Sequence, residues 1–301
     1  MDTRLVAFQR RHQALLELQH SIQNACAGNE FTVPDFGDLA ATRVFRAGSG
    51  NYGERLLLEN IGQILHSLAQ FSLQDRSEIR MVLTAITRGQ ELDLIRFGSA
   101  SAAQIAALGS DAEFEEYTYY VAGCVGEFWT RMCRRYLFPR AKLDDAVLIE
   151  NGVRFGKGLQ MVNILRDLAA DLREGRCYIP QSRLLEYGLR PSDLLDASTM
   201  DRFRPLYHAY LHQAADHLWA GWCYTISLPF RCVRVRLACA WPILIGMKTL
   251  ALLRRAQVLA SPTPIKLSRY EVRRLILQSL LLYPLAGIWK NLAADLRTFT
   301  A

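Results

Sequence analysis

Helical periodicity runs through almost the whole chain and limits the folds that it can adopt. Apolar residues recur every three or four positions over stretches of ten residues or more, whereas the alternation typical of strands is essentially absent. The 301 residues can bury a substantial core, so we predict a single all-α domain, 1–301, of long helices around a central apolar cavity. The predicted helices are 3–26, 54–72, 76–97, 111–136, 144–172, 201–227, 231–259 and 270–295.

Composition argues against a disordered chain and against a nucleic-acid-binding protein, and it indicates an anionic partner. Half of the residues (50%) are apolar, which is typical of a globular chain rather than a disordered one. The net charge of +7 is spread among apolar residues without a concentrated basic block, and we find no base-stacking motif or zinc pattern. We therefore expect no nucleic-acid partner, and we expect affinity for anionic small molecules or for an anionic membrane surface.

The cysteines and the N-terminal segment bear on the cellular compartment. The seven cysteines form no Cys-x-x-Cys pair, and most of them lie among apolar residues. The first residues, MDTRLVAFQRRHQALLELQ, form an amphipathic pattern with charges throughout, unlike a signal peptide. These features predict reduced, buried thiols in a cytoplasmic protein.

The most apolar segment, 275–289, lies near the C-terminus. Polar residues and a proline interrupt it, and no stretch of the chain reaches eighteen uninterrupted apolar residues, so we do not expect a spanning helix. Two interpretations remain open. The segment is either a core helix or an interfacial helix that is flanked by Arg273, Arg274 and Lys290 and ends in Trp289, with peripheral contact to the inner face of a membrane.

A polar seam crosses an otherwise apolar helical stretch at residues 158–180. Gln160, Asn163, Asp167 and Asp171 follow one another at steps of 3, 4 and 4, so a helix presents them on one face. Such a seam is costly to bury unless something binds it, and two carboxylates four residues apart can share a divalent cation.

Three arginines accompany the seam: Arg166, Arg173 and Arg176. Guanidinium groups suit phosphate oxygens, so carboxylates, Mg²⁺ and arginines together suggest a diphosphate substrate. Many surface helices nevertheless carry aspartates four residues apart, balanced by an arginine, and bind nothing. From the spacing alone that alternative remains open.

The ordered string from Gln160 to Pro180 resembles the second aspartate-rich motif of the squalene/phytoene synthase family. The motif residues are, in order, Gln160, Asn163, Ile164, Leu165, Arg166, Asp167, Asp171, Gly175, Arg176, Tyr178 and Pro180. One position differs, since Ala170 stands where many members carry an acid. The resemblance implies an isoprenoid synthase fold. It also implies that Asp167 and Asp171 bind Mg²⁺, that Arg166 acts in catalysis, and that the substrate contacts are Gln160, Asn163 and Arg176.

A second motif lies at residues 117–126, YTYYVAGCVG. Tyr117, Tyr120, Cys124 and Glu127 follow one another at steps of 3, 4 and 3, so we expect them to share one face of a helix. Mid-helix glycine costs about 1 kcal/mol relative to alanine, so the glycines predict close approach by another helix or by a ligand. The segment resembles the other characteristic motif of the same family, which implies that Tyr120 lies at the reacting centre and that Tyr117 contacts substrate.

The C-terminal third bears on the branch of the family. Residues 236–250, with Cys-Ala-Trp-Pro, resemble squalene synthases more than phytoene synthases. Residues 265–269 resemble the basic loop that squalene synthases place near a nicotinamide cofactor, which implies that Lys266 and Arg269 bind NADPH. That these two are merely solvated loop cations is at least as good an interpretation.

One expected feature is missing. Members of the family carry a first aspartate-rich motif that faces the second across the cavity, and no aspartate pair before the second motif has helical spacing. Met1 aligns just after that position, so we expect an N-terminally truncated member with one of two metal-binding walls.

The resulting hypothesis is a prenyltransferase of the squalene synthase type. It would join two farnesyl diphosphates to presqualene diphosphate and reduce this to squalene, with Mg²⁺ and NADPH. The alternatives are a dehydrosqualene- or phytoene-type synthase without reduction, and a non-catalytic, membrane-associated relic of the family.

Overall fold

The computed structural model of the protein describes residues 6–37 and 52–293. The all-α prediction is confirmed, since the described part of the chain contains helices and a single pair of two-residue strands. The chain divides into two compact units, Met1–Ser99 and Ala100–Ala301, each with its own contacts. That the whole chain folds as one domain stays a prediction.

The first unit contains four described helices. Its apolar core is formed by Ile22, Ala25 and Cys26 together with Leu65 and Leu68. The sequence predicted one helix at 54–72, but the structure breaks it at residue 60 into two short helices. The elements are α1 (Phe8–Ala27), α2 (Tyr52–Glu59), α3 (Ile61–Leu68) and α4 (Leu73–Phe97).

The second unit holds every residue singled out as a candidate for the site. It begins with β1, which pairs in parallel with β2. A π-helical turn at Tyr119–Gly123 joins α5 to α6. The elements are β1 (Ala106–Ala107), α5 (Asp111–Thr118), α6 (Cys124–Tyr136), α7 (Asp145–Arg173), β2 (Arg176–Cys177), α8 (Gln181–Glu186), α9 (Met200–Ser227), α10 (Val233–Arg255), α11 (Arg269–Leu282) and α12 (Ala286–Asn291).

Helix α7 is the central element of this unit. Asp144 caps its start, because its carboxylate accepts hydrogen bonds from the backbone N–H groups of residues 146 and 147. Leu165 and Leu168 on its buried side are 0% and 1% exposed. The Tyr207 hydroxyl of α9 donates to the Leu165 carbonyl at 3.0 Å, which fixes the two helices along their length. Helices α6, α9 and α10 all pack against α7.

Glycines let the Tyr119–Gly123 turn and α6 approach α7 almost backbone to backbone. A Cβ atom added at Gly126 would overlap the carbonyl of Gly152, and one added at Gly156 would overlap the carbonyl of Ala122. The close approach predicted from the mid-helix glycines is therefore confirmed, and the partner is another helix.

Helix α10 is long and apolar enough to cross a membrane by length and composition, which differs from the expectation drawn from the sequence. More than half (56%) of its apolar window is buried within the protein, however. This burial is typical of the core helix of a globular protein, so the length and composition of α10 are weak evidence for a membrane span.

The prediction of reduced, buried thiols agrees with the structure. All seven cysteines are free, and five of them are buried. Burial raises the pKa of Cys133, Cys177 and Cys239 to about 12 and that of Cys124 to about 11. These thiols therefore stay protonated in the folded protein at pH values where an exposed thiol ionises.

We expect Gly156→Ala to destabilise the protein by about 3 kcal/mol, because the new methyl group must displace the Ala122 carbonyl. Urea unfolding should show a lower midpoint at an unchanged slope. The matched control is Gly287→Ala in α12, where the added methyl meets no atom within 4 Å. Helix propensity makes that control neutral or slightly stabilising. Equal midpoints for both variants would contradict the close helix contact.

The buried thiols predict a loss of stability at alkaline pH. In the unfolded chain a thiol ionises near pH 8.5, whereas the folded values are about 11 to 12. Stability is therefore highest below about pH 8 and falls as pH rises through 8.5 toward 12, by roughly 2 kcal/mol for each buried thiol between pH 8 and pH 10.

Urea unfolding at several pH values measures this dependence. Cys177→Ala should make it shallower, whereas Cys223→Ala, which removes a partly exposed thiol, should leave it unchanged. The same steep dependence in both variants would show that the buried thiols are not its source.

Candidate functional site

The polar seam lies on an unbroken stretch of α7, so the helical spacing assumed for it is real. The side chains of Asp167 and Asp171 are 29% and 17% exposed, and Asn163 is exposed one turn earlier. Gln160 is partly buried. The structure thus places all four residues on α7, with their polar atoms within reach of a ligand.

Each aspartate of the seam is paired with one arginine. Arg166 donates from Nε to Oδ1 of Asp167 at 2.9 Å and from Nη2 to Oδ2 at 2.5 Å. Arg176 donates from Nη2 to Oδ1 of Asp171 at 3.2 Å. The hydrogen bonds that Arg166 donates to Asp167 raise the pKa of Arg166 above its usual value. The site therefore combines two carboxylates with two guanidinium groups, and guanidinium groups are suited to phosphate oxygens.

The turn after α7 places Arg176. Gly175 has φ +81°, a conformation that L side chains rarely adopt, and a Cβ there would overlap the backbone of Ser101. Its carbonyl accepts from the Ala106 N–H at 2.9 Å. These contacts explain the Gly-Arg pair in the motif, because only glycine lets the chain turn back and pair β2 with β1.

Tyr117 reaches the site indirectly. Its ring is buried and stacks on Tyr178, with 4.8 Å between ring centroids. Tyr178 follows Arg176 by two residues on the turn after α7. The structure thus brings Tyr117 against the turn that carries Arg176, and its role in substrate binding stays a prediction.

The π-helical turn changes the face predicted for the tyrosine motif. Tyr120 lies in this turn and is partly buried. The Tyr119 hydroxyl, and not that of Tyr120, donates to Glu127, at 3.3 Å. A π-turn inserts one extra residue, so positions eight apart align as positions seven apart do in an α-helix. The prediction that Tyr120 and Glu127 share a face is therefore wrong by one residue.

Tyr119 is a polar residue near the site that the sequence pattern missed. Burial, then the nearby Glu127 carboxylate, raises the pKa of its hydroxyl. Arg131 donates to the same carboxylate at 2.7 Å and 3.1 Å, which completes a small network on α6. The only available signal was the run of adjacent tyrosines, which cannot by itself reveal a π-turn.

An apolar pocket of about 430 Å³ adjoins the same helix. Leu159, one of its lining residues on α7, precedes Asp167 by eight residues, or roughly 12 Å of helix. Both the polar seam and an apolar pocket thus lie along one helix. The lining residues are Val121, Ala122, Val125, Gly126, Trp129, Gly152, Phe155, Gly156, Leu159, Tyr224, Ala238 and Cys239.

Lys266 and Arg269 are exposed, in the loop before α11 and at the first residue of that helix. The start of this loop is tied to α7, because Arg173 donates to the carbonyls of Ser261 and Pro262 at 3.5 Å and 3.3 Å. Arg173 thus holds the loop close to the end of α7, two residues beyond Asp171. No contact in the structure assigns a cofactor to Lys266 or Arg269.

The residues present fit Mg²⁺. This ion is usually bound through one or two carboxylates, with substrate phosphates and water completing its shell. Asp167 and Asp171 supply such a pair. Among the residues that the structure describes, no group of three or more His, Cys, Asp or Glu side chains is placed to hold a metal. A metal here would therefore depend on a phosphate-bearing ligand.

Comparison with known proteins agrees with this arrangement. The chain is 30% identical over 162 residues to a bifunctional lycopene cyclase/phytoene synthase of Arthroderma gypseum, covering 53% of this chain and 26% of that protein. It is 33% identical over 98 residues to phytoene synthase 1 of Solanum lycopersicum, covering 33% and 23%. The chain thus spans about a quarter of the length of these curated relatives.

Among solved structures, the TcSQS complex with the ligand BPH1237 superposes with a TM-score of 0.63 at 18% identity. The superposition covers 99% of this chain and 93% of that one, and this likeness bears on the fold. The model of the family described as squalene/phytoene synthase matches residues 6–271. The chain belongs to the squalene/phytoene synthase family.

Proposed function

We propose that this protein is a prenyltransferase that joins two farnesyl diphosphates to presqualene diphosphate and reduces it to squalene. The observation that carries the proposal is the arrangement along α7. Two carboxylates with their arginines lie near the end of this helix, and an apolar pocket lies roughly 12 Å before them. A substrate with an anionic head and an apolar tail matches both.

The charged groups at the seam bind the diphosphate head. Asp167 and Asp171 would hold Mg²⁺, which neutralises the charge of a departing diphosphate. Arg166 and Arg176 are already within hydrogen-bond distance of these carboxylates, so a small rotation lets each donate to a phosphate oxygen. Asn163 and Gln160 add neutral donors on the same face.

The tyrosine turn serves the reacting centre. Ionisation of an allylic diphosphate leaves a carbocation, and aromatic faces stabilise such charge without attacking it. Tyr120 supplies that face, and its hydroxyl can hydrogen-bond the leaving group or take up a proton. Tyr117 holds the turn of Arg176 in place through its stack on Tyr178.

The apolar pocket takes the isoprenoid tail. Burial of fifteen carbons contributes at most about 12 kcal/mol, at about 0.8 kcal/mol per carbon. The pocket volume of about 430 Å³ lies within the range usual for small-molecule sites. The lining of the pocket is almost wholly apolar, which suits a hydrocarbon tail.

The reductive half of the reaction needs NADPH. Lys266 and Arg269 are exposed cations suited to its phosphates, and Arg173 ties their loop to the end of α7. The free, buried thiols support a cytoplasmic location, where thiols remain reduced.

A synthase that stops without reduction is the second candidate, with dehydrosqualene or phytoene as its product. The curated relatives favour it, because the proteins compared above are named as phytoene synthases. A non-catalytic relic of the family is a third candidate. It is favoured because, among the described residues, no group of three or more His, Cys, Asp or Glu side chains is placed to hold a metal ion.

We expect the double variant Asp167→Asn, Asp171→Asn to lose Mg²⁺-dependent binding of a non-hydrolysable farnesyl diphosphate analogue. Loss of both carboxylate ligands should weaken binding at least about a hundredfold. Titration calorimetry with and without Mg²⁺ measures this effect, and it tests the binding site even if turnover is low.

The matched control is Asp201→Asn, Asp216→Asn, which removes two exposed carboxylates of α9. Its affinity for the analogue should equal that of the parent. Unchanged binding in the seam variant would rule out the metal site, and binding without turnover in the parent would favour the relic.

Products formed with and without NADPH separate the two enzymatic candidates. We expect squalene only with NADPH, and we expect Lys266→Gln, Arg269→Gln to raise the KM for NADPH about tenfold without slowing consumption of farnesyl diphosphate. Removal of the loop cations Arg140 and Lys142 is the control. A C30 or C40 triene formed without reductant would refute squalene synthesis.

A further inference from the structure

An ion pair joins α7 to the helix that leads into the π-helical turn. The Lys157 ammonium of α7 donates to Oε2 of Glu115 on α5 at 2.7 Å. Gln213 of α9 donates from Nε2 to the other oxygen, Oε1, at 3.0 Å. The Lys157 side chain is 16% exposed, so its charge is largely removed from water and loss of the partner would be costly. Three helices are therefore joined at one carboxylate.

The stem of Lys157 packs against the end of the same turn. A Cβ atom added at Gly123, the last residue of the turn, would lie 3.3 Å from Cγ of Lys157. Glu115 lies four residues before Tyr119, the first residue of the turn. Lysine can bury its stem against a surface while its ammonium reaches a polar partner. Lys157 thus contacts the turn at its end and is paired about one helical turn before its start.

Lys157 also lies between the two parts of α7 that the proposed reaction uses. It follows Gly156, where an added Cβ would overlap the carbonyl of Ala122. It precedes Gln160, the first residue of the polar seam, by three residues. The ion pair therefore acts on α7 at the point where the place of Tyr120 relative to the seam is set.

We propose that Lys157 is a positioning residue, which holds Tyr120 at a fixed place relative to the polar seam. This inference rests on the proposed function, in which Tyr120 stands at the reacting centre. A misplacement of about 1 Å that originates far from the reacting atoms can lower a rate about a hundredfold. The seam lies on α7 itself, so loss of the ion pair should slow turnover and leave ligand binding at the seam unchanged.

The variant Lys157→Met keeps most of the stem and removes the ammonium. We expect it to lower kcat with farnesyl diphosphate about tenfold, because the turn is no longer held to α7 by charge. Its Mg²⁺-dependent affinity for the non-hydrolysable analogue, measured by titration calorimetry, should stay within about twofold of the parent. A loss of affinity as large as the loss of kcat would overturn the positioning role.

Exchange of the two charges gives a second test. Lys157→Glu alone and Glu115→Lys alone each place like charges together, and each should lower kcat at least about tenfold. The double variant Lys157→Glu, Glu115→Lys restores the pair in reverse, and the Gln213 amide can then accept from the new ammonium. Its kcat should recover to within about threefold of the parent. A double variant slower than either single variant would overturn the proposal.

Hydrogen exchange tests the ion pair without turnover. In Lys157→Met the amides of residues 117–123 should exchange at least about fivefold faster than in the parent, whereas those of residues 160–171 should not change. A parent that makes no product would refute the proposed function, and exchange would still show whether Lys157 holds the turn. Unchanged exchange at residues 117–123 would refute the positioning role.

Arg134→Met is the matched control. Arg134 of α6 pairs with Asp145 at the start of α7 and donates to the Phe138 carbonyl at 2.6 Å, so it too is a partly buried cation that joins two helices. Its loss should lower the melting temperature about as much as Lys157→Met does, with no change in kcat or in exchange at residues 117–123. Equal losses of kcat in both variants would show that Lys157 only stabilises the fold.

Discussion

The close approach of two helix backbones at Gly126–Gly152 and Ala122–Gly156 sets the geometry on which the site depends. Side chains at these positions would push the tyrosine turn away from α7 and fill the apolar pocket, whose wall includes all four residues. Helix stability is lost at each glycine, by about 1 kcal/mol. In return, the contact fixes the turn that carries Tyr120 against α7, the helix that carries Asp167.

The polar seam shows how α7 keeps charge in a largely apolar setting. A carboxylate that is mostly removed from water is costly unless it is paired. Arg166 is adjacent to Asp167 in the sequence and donates hydrogen bonds to it. Arg176 can donate to Asp171 only because the chain reverses direction at Gly175. Each carboxylate of the seam therefore has a guanidinium partner within hydrogen-bond distance.

The sequence predicted the helical class, the seam and the glycine contact, because each depends on local periodicity or on residue type. It did not predict the break at residue 60 or the π-turn at Tyr119–Gly123, since both leave the hydrophobic pattern nearly unchanged. The π-turn matters more, because in this structure the hydroxyl that donates to Glu127 belongs to Tyr119, which the predicted face did not include. The Arg–Asp pairs follow from side-chain conformation and from a β1–β2 contact between segments far apart in sequence, which periodicity does not encode.

The apolar pocket and the C-terminal helix α12 are held by the same two helices. Tyr224 of α9 and Cys239 of α10 line the pocket, whereas Trp222 and Arg236 of these helices pack against Trp289 of α12. Tyr224 lies two residues from Trp222 on α9, and Cys239 lies three residues from Arg236 on α10. Because protein interiors are close-packed, the pocket wall and the packing of α12 both depend on how these turns of α9 and α10 are placed.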